Sequence, residues 1–192
     1  NYHGVKGLRV CASFYYNQTA KNGTKPWRNT GYKFPVTIVT GDLQYKGFNN
    51  NLIVRGNAVY GNLGASGALT TINNNSSAAS GYPNTTVAQN AVSYGGEAGY
   101  NIGSFFHSKA PRIYPFIRYE YYNPMEKTEA NTGLLADKRF QVSAVTAGLN
   151  YYALPNLVIK ADYTHRSIGG GKYNDENLVS VGIAYIGWFI KK

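Results

Sequence analysis

The sequence predicts an all-β chain, an antiparallel transmembrane β-barrel of about eight strands, and three observations carry that expectation. Apolar and polar residues alternate with period two in about eight runs of roughly 9–13 residues, longer than the five or six usual in globular sheets. The connections between runs alternate between long and short, as in barrels with short turns on one side and long loops on the other. Aromatic residues collect at the run ends, at Tyr15/Tyr16, Tyr45/Phe48, Tyr60, Tyr100/Phe105/Phe106, Tyr121/Tyr122, Tyr151/Tyr152 and Trp188/Phe189. Such girdles belong at the level of lipid headgroups. Composition agrees, with 15% charged and 15% aromatic residues among 192, 22 of them Gly and 18 Tyr. So many aromatics and so few charges exclude disorder. No apolar stretch approaches the ~18 residues of a membrane-spanning helix. The mean hydropathy of −0.34 does not argue against a barrel, whose strands are only half apolar.

The first run, Leu8 to Tyr16, places Leu8, Val10, Ala12, Phe14 and Tyr16 opposite Arg9, Cys11, Ser13 and Tyr15. After a polar loop to about Lys33, Val36 to Lys46 sets Val39, Leu43 and Tyr45 against Asp42, Gln44 and Lys46. The tight turn Gly47–Asn51 leads into Leu52 to Asn62, where Leu52, Val54, Gly56, Ala58 and Tyr60 oppose Arg55 and Asn57. A Ser/Thr/Asn/Gly/Ala-rich stretch from Leu63 to about Asn90 reads as a long loop. Ala91 to Ile102 follows, then a medium turn to Pro111, then Arg112 to Tyr122, with Ile113, Ile117, Tyr119 and Tyr121 opposite Arg118 and Glu120. A charged loop is expected over Asn123 to Asp137. In Phe140 to Tyr152 the apolar face shifts from Phe140/Val142/Ala144 to Val145/Ala147/Leu149/Tyr151, which predicts a bulge near Ala144. The turn Ala153–Asn156 joins Leu157 to Arg166, a Gly-rich loop covers Ser167 to Glu176, and the last run is Leu178 to Ile190.

The net charge is +10, and residues 1–96 carry 8 basic groups against Asp42 alone. That excess attracts anions in general. The basic residues are scattered singly, with no compact face for a nucleic acid, which is excluded as a partner. With Cys11 the single cysteine, neither an internal disulfide nor a multi-cysteine metal site can form. Period-two alternation fits two solvents. A soluble barrel would bury the uncharged face; a membrane barrel would turn it to lipid and keep Arg9, Asp42, Arg55, Glu97, Arg118, Glu120, Lys160, Asp162 and Arg166 inside, as pore-lining residues. The rim aromatics favour the membrane.

Three segments resemble Gram-negative porins. Arg112–Pro124 is similar to the P-F-x-R-Y-E strand of porin-type barrels, including phosphate-selective ones; Pro155–Tyr163 resembles their penultimate hairpin; Val179–Phe189 resembles the closing strand recognised by barrel-assembly machinery. Together they cover about the last eighty residues well and the first hundred only in style. One departure is that Ile190-Lys191-Lys192 follow the aromatic residue on which the family usually ends. Asn1–Leu8 reads as a periplasmic turn entering a strand, so residues 1–192 are expected to be one barrel domain or the C-terminal half of a barrel of about sixteen strands. The resemblance implies a passive channel in the cell outer membrane for small anions or polar solutes. It also implies contact with the bilayer and lipopolysaccharide, an optional homo-oligomer, and no cofactor or metal. Two alternatives stay open: a closed eight-stranded structural or adhesive barrel filled by its own side chains, and a soluble barrel binding an apolar ligand.

Catalysis is not expected. Asp162, His165 and Ser167 lie close in sequence, but on a strand Asp162 and His165 point to opposite faces, which is wrong for a relay. His3, His107 and His165 read as rim residues. Gly169-Gly170-Gly171-Lys172 lacks the remaining residues of a phosphate-binding loop. The sequons at Asn17, Asn22, Asn75 and Asn84 arise by chance in Asn/Ser/Thr-rich loops.

Overall fold

A computed structural model describes residues 4–18, 31, 33–76, 86–106 and 111–185. Eight strands form one sheet in sequence order: β1 (Leu8–Gln18), β2 (Pro35–Gly47), β3 (Leu52–Leu63), β4 (Asn90–Tyr100), β5 (Arg112–Lys127), β6 (Val142–Leu154), β7 (Leu157–Ile168) and β8 (Asp175–Tyr185). Every neighbouring pair is antiparallel. The connections after β1, β3, β5 and β7 lie at one end of the sheet and include the long loops; those after β2, β4 and β6 lie at the other. At the short end, Phe48, Asn49 and Asn50 take left-handed φ of 50°, 55° and 66°, a conformation that asparagine tolerates better than most residues. Among the described residues β1 and β8 do not pair with each other, so the sheet is not closed.

Register turns the alternation into two surfaces. Following the partners from Arg9 through Gln44, Arg55, Glu97, Arg118 and Thr146 to Thr164 keeps one face throughout. That face is concave, since residues from β3 through β8 line one shared hollow on it. The opposite face carries Phe14, Val39, Leu43, Tyr60, Ile117, Val145, Leu149, Ile159, Val181 and Ile183, all exposed. Val181 and Ile183 are 76% and 72% exposed. The buried apolar residues are few, Phe34, Tyr114, Met125 and Val142. The chain exposes 13463 Å², against roughly 9,000 Å² for a compact globular protein of this mass. An apolar face of this extent left open to the surroundings is the inverted arrangement of a transmembrane β-barrel, and the fold belongs to that class.

Four local expectations are corrected. No bulge occurs near Ala144: both ladders of β6 run unbroken through Ser143, Ala144 and Val145. Phe140 belongs instead to a 3₁₀ turn, Lys138–Phe140, so Val142 and Ala144 share the concave face with Thr146 while Val145 and Leu149 face outward. Register shifts occur between Asn90 and Val92 and between Tyr152 and Leu154. The first accommodates Pro124, which has no N–H for the ladder; Asn123 Oδ1 accepts from the Met125 N–H at 3.0 Å and its Nδ2 donates to Glu126 at 2.8 Å. β5 therefore runs on to Lys127, shortening the expected charged loop. The Leu63–Asn90 stretch contains a helix, α1 (Ser66–Ser76), whose Gly67 N–H is taken by Glu129 of the β5–β6 loop. The last strand starts at Asp175 rather than Leu178; its expected end, with Trp188 and Phe189, lies outside the described residues, as do His3, His107, Asn22 and Asn84.

This two-faced sheet predicts an asymmetric response to charge on β8. Ile183→Arg should cost about 2–4 kcal/mol of folding stability in lipid vesicles, whereas Ser180→Arg on the concave face should cost less than half of that. Equal penalties in denaturant titrations would contradict the facial assignment.

Candidate functional site

All nine charged residues singled out in the sequence fall on the concave face. Arg9, Arg55, Glu97 and Arg118 share one row of the ladder. Asp42, Glu120 and Arg166 share the next, with Asn57, Gly95 and Ala144 between them. Asp162 and Lys160 continue the same face of β7 toward the short turns. Two of the hollows onto which the rows open hold most of these groups. One, ≈ 290 Å³, is lined by Arg9, Asp42, Arg55, Glu97, Arg118 and Glu120 among others. The other, ≈ 540 Å³, brings Lys160, Asp162 and Thr164 to the same space as Arg55 and Arg118.

Glu97 is the centre of the charge network. Its Oε2 accepts from Arg118 Nε at 2.9 Å and from a second guanidinium nitrogen at 2.5 Å, while Arg55 Nη1 stands 3.4 Å from Oε1. The Glu97 side chain keeps 18% of its exposure, against 57% for Arg55, so the Arg118 fork provides the tighter partner and Arg55 a looser one. Arg118 also lies 3.9 Å from Glu120. Small residues make room for these groups. A Cβ on Gly95 would meet the Tyr119 carbonyl at 3.0 Å and crowd Asn57 and Glu120 at 3.4 Å. One on Gly148 would strike the Phe116 ring at 2.6 Å, and Arg118 lies 5.8 Å from that ring's centre. The aromatic ring over Gly148 thus forms the floor beneath the arginine.

Arg166 sits apart from this cluster. It donates to Glu176 at 2.7 Å and reaches across β6 to the Tyr122 hydroxyl at 3.0 Å. Among the described residues, Arg9, Asp42, Lys160 and Asp162 make no ion pair. Arg55 lies in the strongly basic first half of the chain but is paired all the same, because Glu97 lies directly opposite it in the ladder. Sequence reasoning placed Lys46 on the polar face of its strand without counting it among the pore-lining residues, and missed Arg112 and Glu176; the alternation of their own strands assigns all three to this face. With them, seven basic residues (Arg9, Lys46, Arg55, Arg112, Arg118, Lys160, Arg166) face five carboxylates (Asp42, Glu97, Glu120, Asp162, Glu176) across the concave strands. No cluster of metal-ligating side chains occurs among the described residues.

At the long-loop end, Asp137 caps the 3₁₀ turn by accepting from the Arg139 N–H at 2.9 Å and from its guanidinium at 2.6 Å. These bonds, the side-chain one first, hold the Asp137 carboxyl below its ordinary value of 3.8. A depressed carboxylate stabilises the turn at neutral pH, and that contribution is lost as pH falls through the lowered value.

No sequence model of a known family matches the chain, and no curated protein matches it. Among solved structures, a chain described as "De novo design of transmembrane beta-barrels" is similar over 93% of this chain and 92% of its own length, at 16% identity and a TM-score of 0.30. So distant a likeness adds no weight to the geometry, which stands on register and exposure.

Two measurements follow from the network. A double-mutant cycle of Glu97→Gln with Arg118→Gln should give a coupling of about 1 kcal/mol, and the matching cycle with Arg55→Gln less than half of that. Acid titration followed by NMR should show the Arg139 amide changing environment at a pH below the ordinary aspartate range; a midpoint at or above 3.8 would refute the cap.

Proposed function

We propose that the chain forms the wall of a passive diffusion pore for small hydrophilic solutes in a bacterial outer membrane, with a mild preference for anions. The observation that carries this reading is the common facing of all nine charged candidates, opposite an exposed apolar surface. A concave wall of fixed guanidinium, ammonium and carboxylate groups holds water and steers ions. The convex face, with Val181, Ile183, Leu157, Ile159 and Ala161, meets lipid tails, and its rim tyrosines meet headgroups and lipopolysaccharide.

The outer edges of β1 and β8 favour a pore wider than eight strands. In hydrocarbon an unpaired row of N–H and C=O groups is prohibitively costly, so these edges need partners. Eight strands closed on each other leave an interior filled by side chains. Additional strands, to about sixteen, widen the lumen enough to conduct. A homo-oligomer of such barrels would bury part of the convex face.

The seven cations against five carboxylates give the sign of the selectivity. Arg9 and Lys160 carry it most directly, because neither is in an ion pair among the described residues. Reversal potential in a planar bilayer under a KCl gradient should show weak anion selectivity. Arg9→Glu with Lys160→Glu should shift it toward cations, and the difference should fade as salt rises and the Debye length shrinks from ~10 Å at 0.1 M to ~3 Å at 1 M. A cation-selective wild type, or a double mutant with an unchanged potential, would remove these residues from the lumen.

A further inference from the structure

We propose that Ser167, His165 and Asn177 form an acyl-transfer site on the convex face, which hydrolyses the carboxylic ester of a membrane lipid. The three residues come together by register rather than by sequence. His165 and Ser167 are two apart on β7 and so share the outward face, and the ladder sets Asn177 of β8 opposite His165 and Asp175 opposite Ser167. His165 Nδ1 lies 3.0 Å from Asn177 Oδ1, and its Nε2 lies 3.4 Å from Ser167 Oγ.

The hydrogen bonds settle the tautomer this chemistry needs. Tyr163 donates its hydroxyl to the same Asn177 Oδ1 at 2.6 Å. That oxygen can only accept, so Nδ1 donates to it, and in the neutral ring Nε2 then carries the lone pair on the side of the serine. Asn177 is thus a positioning residue, holding the ring in the orientation of a general base, the part a carboxylate or amide plays behind the histidine of a serine hydrolase. In the resting state Ser167 donates to Asp175 at 2.7 Å; rotation of the hydroxyl hydrogen toward Nε2 arms it. The 3.4 Å separation is within the looseness such pairs show before substrate tightens them.

Location selects the substrate class. This inference uses the lipid-facing orientation proposed above. Ser167 stands one residue from the end of β7, at the long-loop end of the sheet, with the exposed side chains of Val145, Tyr163 and Val179 toward the sheet centre. An acyl ester in a bilayer lies at this boundary between headgroup and hydrocarbon. The adjoining loop, at the same end of the sheet, carries Lys172, whose Nζ sits 5.6 Å from the Tyr173 ring centre. The step balances with water as co-reactant. Ser167 Oγ bonds to the acyl carbon as its proton passes to His165 Nε2, and the ester C–O bond breaks as that proton goes to the leaving alcohol. Water then attacks the acyl-serine, giving its proton through His165 to Ser167 and releasing the fatty acid.

The test uses the folded protein in detergent micelles, with folding checked for each variant by the shift between unheated and heated gel bands. A long-chain alkyl fluorophosphonate should label wild type on Ser167, located by mass spectrometry, and mixed micelles of a dilauroyl glycerophospholipid should release laurate. Ser167→Ala and His165→Ala should each lower release by at least about 100-fold. Asn177→Ala should lower kcat and displace its pH profile with little change in KM, with Asn177→Asp restoring both. Asp175→Ala should raise the rate by freeing the hydroxyl for His165. Wild type that neither labels at Ser167 nor releases laurate overturns the proposal, and so does activity that survives His165→Ala but is lost in Asp175→Ala. Cleavage of water-soluble p-nitrophenyl acetate without laurate release overturns the assignment to lipid. Conductance recorded on the same wild-type preparation keeps the two readings separate, since an open pore without ester cleavage overturns this inference alone.

Discussion

A strand that crosses hydrocarbon must find every backbone hydrogen-bond partner in its neighbours, and that requirement governs the rest of this structure. Seven antiparallel ladders meet it between β1 and β8, and a ladder cannot slip by one residue without turning each side chain to the opposite face. Once the ladders are in register, the chemistry of the two surfaces follows. Arg55, Glu97 and Arg118 meet because they occupy one row, and Val181 and Ile183 face outward because Ser180 and Gly182 face inward. The same constraint explains where the irregularities fall. Pro124 is accommodated near the end of β5, where a broken ladder loses few bonds, and α1 lies outside the sheet altogether.

The concave face combines fixed charge with self-neutralisation. Glu97 binds Arg118 closely and Arg55 loosely, so much of the basic character of the middle strands is compensated over a few ångströms. Arg166 is similarly tied to Glu176. Among the described residues the groups without ion-pair partners are Arg9 and Lys160 against Asp42 and Asp162, with Lys46 and Arg112 nearer the short turns. In the pore proposed above, a lumen built this way would discriminate weakly between ions. The convex face near β7 and β8 has a different chemistry, because the polar groups there, His165, Ser167, Asp175 and Asn177, lie among apolar neighbours at the sheet's rim.

The sheet, its strand order and the facing of the charges were legible in the sequence, because period-two alternation is a local signal that survives in every run. The misreadings have physical causes. An aromatic residue two before Val142 extends the alternation and so points Phe140 to β6; the cap made by Asp137 instead bends the chain into a 3₁₀ turn there. Ser66–Ser76 has no acidic residue in its first turn and no basic residue in its last, and the Gly67 N–H finds its acceptor in Glu129, 62 residues away. The pairing of Arg55 with Glu97 spans 42 residues and depends on the register of β3 with β4. The grouping of His165 with Asn177 is hidden for the same reason. Within β7, Asp162 and His165 do face opposite ways, as expected, and the relevant partner lies on the next strand.

The central claim, that the convex face meets lipid and the concave face meets water, is tested most directly by adjacent single cysteines on β8. Cys11 is replaced by Ser, and Ser180→Cys and Val181→Cys are compared after reconstitution into vesicles. The account predicts that a membrane-impermeant thiol reagent modifies the cysteine at position 180 in the folded protein, and that a fluorophore at position 181 is quenched by lipids carrying nitroxide on their acyl chains. Reagent access at 181 together with lipid quenching at 180 would contradict it.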